Sequence, residues 1–80
     1  MGAVTLEKAF AQALKHARSR RELTQEGLAL SAGLDRTAIS LLERGRRSPS
    51  LETVFALADA LDIPASQLVS DTAKALQRGR

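Results

Sequence analysis

Apolar residues recur along this chain at intervals of three and four, which is the spacing that places side chains on one face of an α-helix. The first series contains Leu6, Phe10 and Leu14 and predicts a helix from about residue 5 to residue 20. A later series predicts a second long helix with a buried face. Its members are Leu51, Val54, Phe55, Ala58 and Leu61. Alanine and leucine dominate the apolar residues and β-branched residues are sparse, so the predicted class is all-α.

Two shorter helical patterns lie between these helices, at residues 25–32 and 36–44. Thr24 precedes the first pattern and Asp35 precedes the second, and both residue types are favoured as helix N-caps. Gly33 lies where the first short helix must end, a position that often requires a left-handed backbone that glycine adopts without strain. Residues 25–44 are therefore predicted to form two short helices joined at a glycine.

The remaining signals complete a five-helix, single-domain chain of residues 1–80. Gly45 and Pro49 predict a turn, and Ser50 caps the helix that follows it. Pro64 marks the start of a fifth helix from about residue 65. We expect residues 70–80 to extend this helix weakly and to end in a fraying basic tail.

Composition excludes several kinds of function. The chain has no cysteine and a single histidine, His16, which removes disulfides and thiolate metal sites; we predict neither a metal nor a cofactor. No glycine-rich phosphate loop or nucleophile constellation is present, so we expect no enzymatic activity. No apolar run is long enough for a membrane span and no secretory signal precedes the first helix, so we expect a cytoplasmic protein.

The net charge of +3 is unevenly distributed. Residues 18–47 carry seven basic and four acidic side chains, whereas residues 48–73 carry four acidic side chains and no basic one. A basic section of this kind favours a polyanion, because its arginines can neutralise phosphates.

The order of residues across the middle of the chain resembles the lambda-repressor-like helix-turn-helix family, also called the Cro or xenobiotic-response-element type. The similarity covers about residues 13–69. It is carried by Arg18, Leu23-Thr24-Gln25-Glu26, Leu28-Ala29, Gly33-Leu34, Ile39-Ser40, Leu42-Glu43-Arg44-Gly45, Pro49-Ser50-Leu51, Leu57-Ala58 and Leu61. A short run, Leu34-Asp35-Arg36-Thr37 with Ile39-Ser40, is also similar to the stand-alone controller proteins of restriction-modification systems.

This resemblance implies a compact five-helix DNA-binding domain with a helix-turn-helix at about residues 25–44. Residues 36–44 would form the recognition helix, whose N-terminal residues approach base edges in the major groove. The resemblance assigns base contacts to Arg36, Thr37 and Ser40. Leu41 departs from the family pattern and would touch a thymine methyl group or no base at all. Backbone contacts would come from Thr24, Gln25, Arg44, Arg46 and Arg47.

Side-chain chemistry supports the same assignments without the family. An exposed arginine can bond bidentately to guanine, whereas Thr37 and Ser40 can pair with several base edges. Arg46 and Arg47 lie on a short loop, and charge without fixed geometry suits phosphates. Arg18 and Glu43 are instead expected to form a structural salt bridge, as they often do in the family.

The predicted function is sequence-specific binding of double-stranded DNA by a homodimeric bacterial or phage transcriptional regulator. One domain of this size makes few contacts, and a two-fold dimer binds two half-sites of a palindromic operator. The fifth helix is the expected dimer interface, through Ile63, Leu68, Val69 and Leu76. Two alternatives stay open: an antitoxin-type protein-interaction module whose acidic section binds a protein partner, and a helix-turn-helix fold without DNA binding.

Overall fold

The computed structural model describes residues 4–79, and five α-helices account for the regular structure within that range. Their bounds are α1 Leu6–Arg20, α2 Gln25–Ala32, α3 Arg36–Glu43, α4 Leu51–Ala60 and α5 Ala65–Arg78. The predicted all-α class and the five elements are confirmed, and the predicted bounds agree to within about one residue.

The helix starts follow from the capping residues. The hydroxyl oxygen of Thr5 accepts a hydrogen bond from the Lys8 N–H, and Thr24 and Ser50 cap α2 and α4 in the same way. Asp35 occupies the N-cap position of α3, but its side chain makes no capping hydrogen bond. Pro64 is the residue before the first turn of α5, with φ −64° and ψ 144°.

The first four helices end in the same way, with a left-handed residue just beyond the last turn. At Gly33 the Leu34 N–H returns to the Ala29 carbonyl, and at Gly45 the Arg46 N–H returns to the Leu41 carbonyl, each at 2.9 Å. These bonds define Schellman motifs. Glu22 and Asp62 take the corresponding position after α1 and α4 with φ of 56° and 58°, although neither is glycine.

One hydrophobic core joins all five helices. Its fully buried large side chains come from every helix. They are Leu14, Leu28, Ile39, Leu42, Leu57, Leu61 and Leu68. The half-buried residues Leu23, Leu34 and Ile63 pack against this cluster. The core therefore fixes α2 and α3 on a platform made by α1, α4 and α5.

Several residues of the predicted helical stripes are not in the core. Leu6, Leu51 and Phe55 are 59%, 69% and 59% exposed, so the prediction that Leu51 and Phe55 are buried was wrong. They lie at the edge of each stripe, and no other element within residues 4–79 covers them. Periodicity identifies the apolar face of a helix but does not show how much of that face a neighbour covers.

Helix α5 continues past residue 70, as predicted, and the fraying of the basic tail stays a prediction. α5 is regular to Arg78 because its C-terminal half packs along α1, burying Thr72 and Ala75. The Thr72 hydroxyl donates a 2.8 Å hydrogen bond to the Leu68 carbonyl, so this buried polar group is satisfied. Arg80 lies outside the described residues. None of the helices in residues 4–79 has the length and apolar character needed to cross a membrane.

Candidate nucleic-acid interface

Helix α3 has two distinct faces. Ile39, Leu42 and Glu43 are buried, with 0%, 1% and 4% of their surface exposed. The opposite face presents the predicted base-contacting residues. Arg36 and Thr37 are exposed, and Ser40 and Leu41 are half-buried. Since residues four apart share a helix face, Arg36 and Ser40 lie one turn apart on the outer surface, as do Thr37 and Leu41.

A buried ion pair holds this helix to the rest of the fold. Arg18 on α1 donates from Nε to Glu43 Oε2 at 2.6 Å and from its second terminal nitrogen to Glu43 Oε1 at 2.9 Å. The first terminal nitrogen donates to the Leu23 carbonyl at 2.8 Å. The Glu43 side chain is only 1% exposed and that of Arg18 is 18% exposed. The predicted salt bridge is therefore present, and it ties α1, the α1–α2 connector and α3 together.

The surroundings of Arg18 favour its charged form. Hydrogen bonding to Glu43 raises the pKa of Arg18 above its ordinary value, burial lowers it by a smaller amount, and the negative charge of Glu43 adds to the increase. Because the pKa of Arg18 is raised, its interaction with Glu43 contributes stability at neutral pH, and as the pH rises this contribution is lost only in strong alkali. The arginine thus stays charged at any pH at which the protein would be used.

Glu43 also holds a residue predicted to contact DNA. The side-chain amide of Gln25, at the first position of α2, donates from Nε2 to Glu43 Oε1 at 3.1 Å. Gln25 is half-buried and lies in an open groove of about 460 Å³ between the start of α2 and the start of α3. The groove is lined by Arg18, Thr24, Gln25, Glu26 and Arg36. The fold thus brings Thr24 and Gln25, which are predicted to contact the DNA backbone, next to Arg36, which is predicted to contact a base.

The predicted arginine loop follows α3 directly. Arg44, Arg46 and Arg47 are all exposed, and Arg44 Nε makes a long 3.4 Å hydrogen bond back to the Ser40 carbonyl. Gly45 sets the path of this loop. A Cβ atom there would lie 3.0 Å from Lys8 Cγ and 3.3 Å from Lys8 Cα, so the loop passes directly against α1. The loop needs glycine both for its positive φ and for this close approach.

A second groove adjoins the arginine loop, and it contains residues to which the sequence assigned no DNA contact. Ala38 on α3, Ser50 and Thr53 line the groove, of about 280 Å³, together with Arg47. This groove lies beside the N-terminus of α4, where the helix dipole favours an anion. In the sequence, the feature that could have indicated this groove is Ser50, a helix N-cap residue that follows the arginines.

The predicted dimer residues do not share one surface. Leu68 is 0% exposed and belongs to the core, so it offers no area to a partner and its assignment to a dimer interface was wrong. Ile63 and Leu76 are half-buried, and Ile63 packs against the core. Only Val69, at 52% exposed, is freely accessible. It borders a shallow apolar groove of about 270 Å³ with Leu6, Phe10, Leu51 and Val54.

Comparison with known families gives a match to the helix-turn-helix family over residues 14–68. Among curated relatives, an HTH-type transcriptional regulator of Sinorhizobium fredii, y4dJ, is 45% identical over 58 residues, covering 70% of this chain and 75% of the relative. The immunity repressor of Bacillus phage phi105 is 43% identical over 60 residues, covering 75% of this chain. The chain spans only 42% of that repressor's length.

Solved structures with the same fold include two restriction-modification controller proteins. C.AhdI from Aeromonas hydrophila superposes with a TM-score of 0.76 at 42% identity, covering 78% of this chain and 94% of that one. C.Esp1396I, crystallised as a tetramer with its natural 35 base-pair operator, gives a TM-score of 0.81 at 26% identity and covers 90% of this chain and 95% of that one.

Proposed function

Because the chain belongs to the lambda-repressor-like helix-turn-helix family, we propose that it regulates transcription by binding a specific double-stranded DNA site as a homodimer. The observation that carries the proposal is the division of α3 into a buried face and an outer face with Arg36, Thr37 and Ser40. An α-helix fits the major groove of B-DNA, and side chains near its N-terminus then approach base edges.

Each outer residue has a distinct role in this proposal. Arg36 bonds to the O6 and N7 atoms of a guanine, and Thr37 and Ser40 contact neighbouring base edges. Leu41, half-buried at the edge of this face, packs against a thymine methyl group. Specificity therefore depends on very few side chains.

Backbone contacts come from the two ends of the motif. Thr24 and Gln25 approach one phosphate from the start of α2, and Arg44, Arg46 and Arg47 neutralise phosphates from the loop after α3. The acidic residues 48–73 lie mainly on α4 and α5, which do not form this face, so the charge distribution orients the encounter with DNA.

Dimerisation supplies the contacts that one domain lacks. Within residues 4–79, five large hydrophobic side chains are exposed, and four of them, Leu6, Leu51, Phe55 and Val69, come from α1, α4 and α5. Leu6, Leu51 and Val69 border the 270 Å³ apolar groove, and Phe55 lies one helical turn from Leu51 on α4. We assign these four residues, termed the apolar patch, to contact with a second copy of the chain, because contiguous exposed apolar surface marks an interaction site.

The relatives that match this chain are named as regulators and repressors, which favours gene regulation over an antitoxin-type interaction module. We assign no catalytic reaction to the chain and place its action in the cytoplasm, where bacterial and phage operators lie.

Selection of duplexes from a random-sequence pool tests the proposal. We expect enrichment of a palindromic site whose half-sites lie about one helical turn, roughly 34 Å, apart. Recovery of unenriched sequences, or no binding at low salt, would reject it.

A further inference from the structure

The carboxylate of Glu43 accepts hydrogen bonds from two residues on different helices, Arg18 on α1 and Gln25 on α2. Its Oε1 atom accepts from Arg18 at 2.9 Å and from the Gln25 amide at 3.1 Å, and its Oε2 atom accepts only from Arg18. With the carboxylate only 1% exposed, these bonds satisfy it within the protein. Its negative charge is neutralised by Arg18 and does not face a DNA phosphate.

The bond to Gln25 has a geometric consequence. A glutamine amide carries two N–H donors and one carbonyl acceptor. Because one N–H donates to Glu43, the NH₂ group of the Gln25 amide faces Glu43. The carbonyl oxygen of the amide therefore cannot occupy that position. The second N–H remains available on the side of the groove that Gln25 shares with Thr24 and Arg36. An amide that rotated freely would present its acceptor to a phosphate as readily as its donor.

We propose that Glu43 is a positioning residue for DNA binding. It orients the Gln25 amide so that the second N–H donates to a phosphate oxygen, and Arg18 in turn holds Glu43. This inference rests on the proposed function. It gives the buried ion pair a role beyond stability, because a preorganised donor loses less conformational freedom when it binds.

The test must separate positioning from folding. Replacing both Arg18 and Glu43 by methionine removes the acceptor of Gln25 but fills the site with apolar side chains of similar length, and such replacements of buried ion pairs often retain stability. Thermal unfolding followed by circular dichroism establishes that each variant is folded. Gln25→Ala is then made in the wild-type chain and in the Arg18→Met/Glu43→Met chain.

The first measurement needs no DNA. In the wild-type chain, the two side-chain N–H resonances of Gln25 should be well separated in an NMR spectrum and one should exchange slowly with water. In the Arg18→Met/Glu43→Met chain both should move to the values of an unstructured glutamine. If the wild-type resonances already have those values, the proposal is wrong, whatever the protein binds.

The second measurement is affinity for the selected duplex. We expect Gln25→Ala to weaken binding about tenfold in the wild-type chain, equivalent to about 1.4 kcal/mol, without changing the salt dependence, since a neutral amide releases no counterion. In the Arg18→Met/Glu43→Met chain the same change should cost less than about twofold, because the amide there is already free.

Three outcomes have different meanings. An equal loss in both backgrounds would overturn the positioning role of Glu43. No loss in the wild-type chain, with DNA binding intact, would also overturn it and leave the proposed function standing. If the folded wild-type chain binds no duplex at low salt, both the proposed function and this inference fail.

Discussion

At the scale of single residues, the arginines of the interface differ in how firmly they are held. Arg36 stands at the first position of a helix whose opposite face is buried, so its direction is set by α3. Arg46 and Arg47 are exposed on the loop after α3, outside any helix. Fixed geometry allows a side chain to distinguish bases, whereas loop arginines contribute charge.

This difference predicts distinct effects of two substitutions. Arg36→Ala should relax base preference at one position of each half-site, at a cost of about 1–3 kcal/mol there. Arg46→Ala should weaken binding to all sequences alike and reduce the dependence of affinity on salt by about one ion per subunit. Binding to a panel of single-base variants of the selected site at several salt concentrations measures both effects. Identical behaviour of the two variants would contradict the assignment.

Gly33 and Gly45 provide a second comparison at this scale. Both have positive φ, 71° and 69°, but a Cβ atom at Gly33 would meet nothing within 4 Å, whereas at Gly45 it would meet Lys8. We expect Gly33→Ala to lower the free energy of unfolding by about 1–2 kcal/mol, the cost of left-handed backbone, and Gly45→Ala to lower it further. Urea denaturation measures the difference, and equal losses would show that α1 yields to the added methyl group.

Single residues also show which features of the fold can be predicted from the sequence and which cannot. Gly33 was recognisable because glycine is the usual residue at a left-handed helix end. Glu22 and Asp62 have the same left-handed conformation although they are not glycine, so their residue types did not indicate it. The Arg18–Glu43 pair was expected from the family resemblance. The Gln25–Glu43 bond joins residues 18 positions apart on two helices, and only the packing of α2 on α3 brings them together.

At the scale of whole elements, periodicity together with capping residues, glycine and proline located all five helices but did not show how exposed their edges are. α5 was expected to supply the dimer surface and to continue only weakly past residue 70. It instead packs its C-terminal half along α1 and buries Leu68 in the core. Its exposed contribution is Val69, beside Leu51 on α4 and Leu6 on α1. Which edges stay uncovered depends on the angles between helices, and these are not encoded in the spacing of one helix.

The apolar patch therefore makes a prediction about assembly. Phe55→Glu should shift the protein from dimer to monomer, because it places a charge in apolar contact area. Leu30→Glu is the matched control, since Leu30 is 85% exposed on α2 and does not line the patch. Sedimentation equilibrium measures the mass, and unfolding curves check that both variants are folded. A folded Phe55→Glu protein of unchanged dimer mass would contradict the assignment of the patch.

At the scale of the whole molecule, the fold separates three surfaces. The outer face of α3 with the arginine loop carries Arg36, Arg44, Arg46 and Arg47, the apolar patch lies on α1, α4 and α5, and the segment of residues 48–73 carries four acidic side chains and no basic one. The sequence alone predicted this charge separation and the DNA-facing helix. It did not predict the position of the patch, because the packing of α1 beside α4 and α5 creates it.

Equilibrium binding of labelled duplexes at a series of salt concentrations tests the central claim most directly, namely that a dimer of this chain recognises a specific DNA site. For a dimer that neutralises about six phosphates, the logarithm of the association constant should fall against the logarithm of salt concentration with a slope near −5, or about −0.9 per phosphate. The selected site should also bind at least about a thousandfold more tightly than unrelated sequence at physiological salt. Equal affinity for both duplexes, or no binding at low salt, would contradict the account.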